Sequence, residues 1–321
     1  MKRISLLLLL SVISLNSFCW GFYGHQKINY LSVFLLPPEM LVLFKPNIQF
    51  LSDHSVDPDK RRYAIVEEAP RHYIDMDNYG KHPYPDLPRR YDSAIKKYGE
   101  DTVIQNGIVP WWIQIMQQRL TNAFKEKNQA KILKLAAEIG HYIADSHVPL
   151  LASSNHDGQH TNQKGIHGFW ESRVPELLAD REFDFMIGKA DHINSIADYT
   201  WARVLESGAQ SDTVLKYEAL LSKDFPPDRK YAFEERSGKV IRQYSSAFTI
   251  EYNKRLNNMV ERRMRQSIYS VASFWYTAWV NAGQPDLKQL KNVAFTEADL
   301  KEFEELNNSW RNSAAKGRPH D

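Results

Sequence analysis

Residues 128–147 read NQAKILKLAAEIGHYIADSH, and no other segment constrains the fold as tightly. Apolar residues recur there every three or four positions, the period of a helix with a buried face. His141 and Asp145 lie four apart in that helix and so project from the same side. An imidazole and a carboxylate on such a helix are either satisfied by neighbouring groups or share an ion. For one pair alone, the local arrangement is the commoner of the two.

The helical period also runs through 109–124 and 165–178, with further helical patterns at 188–208, 212–222 and 236–283. Period-two alternation of β-branched residues is nearly absent, so the expected fold class is all-α, a single multi-helix domain. Pro- and Gly-rich stretches at 80–88 and 153–165 read as loops. The domain is expected over 20–310, followed by a flexible tail from 311 to 321.

The first residues, MKRISLLLLLSVISLNSFC, combine a basic start with an apolar run too short to span a membrane. They read as an export signal cut after Cys19, with Trp20 the first mature residue and a periplasmic or extracellular destination. No transmembrane segment is expected in the mature chain. Bulky Phe18 argues against lipidation of Cys19. Cys19 is the only cysteine, so the mature chain has no disulfide and relies on its core or on metal. Without Lys2 and Arg3 the 41 basic residues become 39, equal to the 39 acidic ones. Zero net charge does not suit a duplex-DNA binder, which needs a basic footprint.

Nine of the eleven histidines fall between His25 and His167. His167 and Glu171 repeat the i, i+4 spacing on the helix after the second loop. EEAPRHYIDMD carries His72 with Asp75 and Asp77, and HSVDPDKRRY carries Asp57 and Asp59 beside Lys60, Arg61 and Arg62. Alone, that stretch is an ordinary charged helix start with Pro58 in the first turn. Trp20 stands five residues before His25. As a mature terminus its α-amine and carbonyl become available to a metal. Trp111, Trp112, Phe169, Trp170, Trp275 and Trp279 are read as core.

In this order the elements resemble the zinc-dependent phospholipase C superfamily, which also contains the single-strand-specific zinc nucleases of fungi and plants. The resemblance runs from Trp20 to about Glu171. It implies a buried zinc pair: one ion on Asp57, His72, His141 and Asp145, the other on the Trp20 amine and carbonyl, His25 and a bridging Asp145. Asp57 is preferred to Asp53 because fifteen residues to His72 matches the family spacing and nineteen does not. A third zinc would use His167, Glu171 and a histidine at 151, where this chain has leucine. Only His147, His156 or His160 would be near enough in sequence to replace it.

The resemblance further implies phosphodiester hydrolysis by a water between the two zincs, with Asp57 orienting or deprotonating it. The phosphodiester would be a phospholipid head group or a single-stranded nucleic acid; no protein partner is evident. Glu171, the sixteen residues from 151 to 167 and the lack of cysteines resemble bacterial phospholipase C. The Trp20–His25 and Asp57–His72 gaps resemble the nucleases. The expectation leans to a phospholipase C-like enzyme. A single-strand nuclease, or a helical zinc-binding protein that lost turnover through Leu151, are the alternatives.

Overall fold

The computed structural model describes residues 21–236, 239–290 and 295–317; the expected signal segment and Trp20 lie outside them. In chain order the helices are α1 (Gly21–Ser32), α2 (Pro38–Phe44), α3 (Ile48–Asp53), α4 (Asp57–Arg61), α5 (Tyr91–Tyr98), α6 (Glu100–Gln105) and α7 (Val109–Lys125). They continue with α8 (Gln129–Asp145), α9 (Ile166–Gly168), α10 (Val174–Leu178), α11 (Ile196–Asp224), α12 (Ser246–Arg255), α13 (Met259–Asn281) and α14 (Glu297–Asn312). The fold is all-α apart from one hairpin. Among the described residues no helix is long and apolar enough to cross a membrane.

Local chemistry explains the helix starts. Asn128, Ser195 and Ser245 accept backbone N–H groups at the starts of α8, α11 and α12, and Thr296 forms a reciprocal capping box with Asp299. Pro110 occupies the first turn of α7, where its missing N–H is harmless. The segment 165–178 is helical but not uniform, because a π-helical turn at Phe169–Arg173 joins α9 to α10.

Two helical expectations are corrected. Residues 188–195 are not helical, and 196–224 form one helix rather than two. The pattern read as a helix from 236 instead begins within an antiparallel hairpin, β1 (Tyr231–Arg236) with β2 (Lys239–Tyr244), paired Tyr231 to Tyr244 and Phe233 to Arg242. The run YAFEER…KVIRQY holds aromatic and β-branched residues that suit a strand, and helix resumes only after the Ser245 cap.

Helix α8 is the centre of the molecule, packed by α1, α3, α7 and α13. Every residue from Ala136 to Asp145 is buried, so its last turns have no solvent face. Trp275 of α13 donates its indole N–H to the Ala136 carbonyl at 2.9 Å. The close crossing of α1 over α8 depends on Gly140: a Cβ there would lie 2.0 Å from Asn29 Oδ1. The Asn29 amide donates to the Ala137 and Leu51 carbonyls, both at 3.0 Å, tying α1, α3 and α8 together. His25 is one turn before Asn29 and His141 is next to Gly140, so this crossing is what brings those two rings face to face.

Helix α14 packs on α4. Its Phe303 meets Phe50 and His54, its Glu302 pairs with Lys134, and Trp310 lies 5.2 Å from Phe22. Beyond it the chain stays attached, with Lys316 donating its backbone N–H to the Arg62 carbonyl and its Nζ to the Ala64 carbonyl. The expected flexible tail is thus tied down as far as these contacts reach; residues 318–321 lie outside the described residues.

Candidate metal site

Four elements meet at the C-terminal half of α8. Helix α1 supplies His25, α4 supplies Asp59, the turn after the 3-10 segment Val66–Arg71 supplies His72, and α8 supplies His141 and Asp145. All five are almost completely buried.

Their polar atoms converge. His141 Nε2 is 3.0 Å from His72 Nδ1, 3.3 Å from Asp145 Oδ2 and 3.6 Å from Asp59 Oδ1. His72 Nδ1 is 3.0 Å from Asp145 Oδ2 and 3.9 Å from Asp59 Oδ1. The other oxygen of Asp145 faces α1, 3.4 Å from His25 Nε2, and the His25 ring stacks on His141 with centroids 3.7 Å apart. Two donor groups result, Asp59–His72–His141 and His25–His141–Asp145, and Asp145 has one oxygen toward each side.

The rings are fixed from behind. His141 Nδ1–H donates to the Ser55 carbonyl at 2.8 Å, which leaves a lone pair on Nε2. His72 Nε2 lies 3.6 Å from Glu68 Oε1. Neither oxygen of Asp59, nor Oδ1 of Asp145, accepts a hydrogen bond from the described residues. Lone pairs and carboxylates facing one another in a buried space need a cation between them. Without a metal, that cation is a proton. Burial alone would lower the His141 pKa, but Asp145 and Asp59 outweigh it and raise it to about 9. Burial likewise opposes ionisation of Asp145, yet its imidazole neighbours hold its pKa well below the usual range. For Asp59 burial wins, and its pKa is raised.

The distances within each three-residue group are compatible with a shared ion. Zinc bonds of about 2.0–2.2 Å to nitrogen and oxygen place the corners of a tetrahedron roughly 3.3–3.6 Å apart. Five separations among His72 Nδ1, His141 Nε2, Asp59 Oδ1 and Asp145 Oδ2 run from 3.0 to 3.9 Å. These buried His and Asp groups can hold a metal ion.

Asp57 does not belong to this set. Its carboxylate accepts from His54 Nδ1 at 2.6 Å and Lys60 Nζ at 3.0 Å. Burial pushes its pKa up, but those two partners outweigh it and lower it. Two residues further round α4, about 200° at 100° per residue, Asp59 faces His141 at 3.6 Å, where the resemblance implies Asp57. Asp53 hydrogen-bonds Gln49 at the surface.

No protein-family model matches the chain, and a search among curated proteins returns no match.

The second i, i+4 pair forms its own buried contact, His167 Nε2 to Glu171 Oε1 at 3.1 Å. His167 Nδ1–H donates to the His156 carbonyl at 3.2 Å, and Asp157 accepts the backbone N–H groups of Gly165 and His167. The start of α1 lies against this turn, since a Cβ on Gly21 would be 2.6 Å from Ser172 Oγ. Trp20 is therefore adjacent in sequence to a residue packed beside Glu171, although it lies outside the described residues itself.

Leu151 is buried, and its carbonyl accepts from Ile74 N–H at 3.0 Å. Of the three histidines considered as replacements, His147 points into α13, with Nδ1–H donating to the Ile143 carbonyl and Nε2 at 3.0 Å from Ser270 Oγ. His160 is exposed. Only His156 is beside the pair, its ring 6.0 Å from that of His167.

Sequence reasoning passed over Glu68 and Asp157. Glu68 has a legible signal, four residues before His72; Asp157 has none, since its role depends on how the loop folds back. Burial would raise the Glu68 pKa, but His72, Arg61 and Arg71 outweigh it and hold it at about 2.

Proposed function

We propose that this chain is an exported zinc-dependent phosphodiester hydrolase, phospholipase C-like in its substrate. The observation that carries the reading is the convergence of two buried donor groups, Asp59–His72–His141 and His25–His141–Asp145, that share His141. The ordered sequence resemblance from Trp20 to Glu171 supports the same reading, and the absence of cysteines beyond Cys19 leaves a metal as the available cross-link.

When bound, zinc supplies Lewis acidity to a phosphoryl oxygen and lowers the pKa of water to about 7. The chain's own groups organise the rest. Asp145 divides its carboxylate between the two donor groups and holds them at one separation. Ser55 holds the Nδ1–H of His141, which turns its Nε2 lone pair toward the donor groups. Asp59 takes the role that the resemblance gives to Asp57, while Asp57 anchors the first turn of α4 through His54 and Lys60.

A second reading is a zinc-binding helical protein without turnover; buried Leu151 favours it, because a leucine stands where the resemblance requires a histidine. The mature protein, loaded with zinc, separates the readings when assayed against a chromogenic phosphocholine ester and against single-stranded DNA. Zinc-dependent ester hydrolysis is the expected result. Preference for DNA makes it a nuclease, and full zinc occupancy without turnover of either substrate supports the second reading.

A further inference from the structure

Behind the donor set is a second layer of buried charge that the hydrolase reading does not use. Glu68 is fully buried, and its Oε2 accepts from Arg71 Nη1 at 2.6 Å. Its Oε1 accepts the Tyr142 hydroxyl and is 3.6 Å from Arg61 Nη1. Arg61 in turn pairs with Glu138 at 2.5 Å, and Arg71 lies over the Trp112 ring at 4.1 Å. Glu68 therefore has enough cationic and hydroxyl partners to be buried without His72.

Its Oε1 is also the acidic oxygen that faces His72 Nε2, at 3.6 Å, just beyond hydrogen-bond length. This matters because His72 faces the donor set through Nδ1, the nitrogen nearer its own backbone. His141 uses Nε2, with its Nδ1–H bound by a rigid backbone carbonyl. An imidazole directed inward through Nδ1 must carry its proton on Nε2. Glu68 is the group placed to hold that proton, and its own orientation is clamped by Arg71 and Tyr142.

We propose that Glu68 is a positioning residue that selects the Nε2–H form of His72, aims Nδ1 at the donor set and so sets its metal affinity. The proposal rests on the metal reading above. A carboxylate behind a metal-bound histidine raises the ring's basicity as well as fixing its angle, and losing such a partner weakens metal binding about 10- to 100-fold.

The test is zinc affinity, measured by competition with a chelating indicator on the full mature chain, with thermal unfolding of the same samples. Glu68→Gln is expected to bind zinc about 10- to 100-fold more weakly than wild type. Glu68→Asp, which keeps the charge at shorter reach, should recover part of the loss. Glu138→Gln removes a charge from the same network, through Arg61, without touching Glu68 or His72; it should lower Tm and leave zinc affinity within about threefold. Wild-type affinity in Glu68→Gln overturns the proposal, as does an equal affinity loss in Glu138→Gln, which would mark the network as structural only. If Glu68→Gln does not fold, long-range 1H–15N spectra of the zinc-loaded wild type decide. A proton on Nε2 of His72 supports the proposal, and a proton on Nδ1 overturns it. A wild-type chain that binds no zinc overturns the metal reading along with it, whereas zinc binding without hydrolysis leaves the role of Glu68 intact.

Discussion

His141 Nε2 and His72 Nδ1 meet 3.0 Å apart in the interior, each on a ring whose other nitrogen faces an acceptor. Two such nitrogens do not attract one another. Their approach is held by α8 on one side and by the turn after Arg71 on the other, and it is favourable with a proton on one of the facing nitrogens or a cation between them. Asp145 and Asp59 favour the protonated form of His141, whose pKa is raised to about 9 against the opposing effect of burial.

Removing metal should therefore weaken the fold. Zinc added at a hundredfold excess over its Kd contributes about 2.7 kcal/mol, or roughly 4 °C in Tm for a chain of this size. Differential scanning calorimetry with and without a chelator measures the shift. Identical melting curves would be incompatible with a structural metal.

Asp59 and Asp57 should separate cleanly when each is changed to asparagine. Asp59→Asn loses a donor facing His141 and should weaken zinc binding at least tenfold. Asp57→Asn should bind zinc like wild type but lose about 1–3 kcal/mol of stability, because buried partners are left unsatisfied. Titration calorimetry and urea unfolding report the two effects. The opposite pattern would return Asp57 to the donor set.

Gly140→Ala tests the crossing that faces His25 toward His141. A methyl there collides with the Asn29 amide, and overpacking of this kind costs about 1–3 kcal/mol. Asn29 and His25 share α1, so the variant should also lose zinc from the His25 side while the Asp59 side keeps its own. Metal analysis of the purified variant checks this, with an unchanged zinc count speaking against the coupling.

Stability should fall in acid through Glu218, far along the chain from the metal donors. Burial disfavours its charge, but Lys230 at 2.8 Å, Gln163 at 2.6 Å and Ser222 at 2.8 Å outweigh that and lower its pKa below 4.5. A depressed folded-state pKa means stability that is fully present above the unfolded value of 4.5 and is lost as pH falls through the folded one. Glu218→Gln should flatten the decline of Tm between pH 5 and the acid limit. Parallel curves for variant and wild type would remove Glu218 as a source of the slope.

The sequence by itself determined what depends on local periodicity. The i, i+4 pairs His141–Asp145 and His167–Glu171 were legible because a helix must stack residues at that spacing, and the all-α class followed from the same period. It did not reveal the hairpin at 231–244, where strand-forming residues sit in a short run between helices. The reading of Asp57 over Asp53 also missed Asp59, the acid that faces His141. Asp57 and Asp59 both stand in the first turn of α4, and which one faces His141 depends on how α4 docks against α8. The approach of Asp59 to His141, and the face-to-face stacking of His25 on His141, were decided by tertiary structure alone. The His25 contact needs the Asn29–Gly140 crossing, and such long-range packing leaves no periodic trace in the chain.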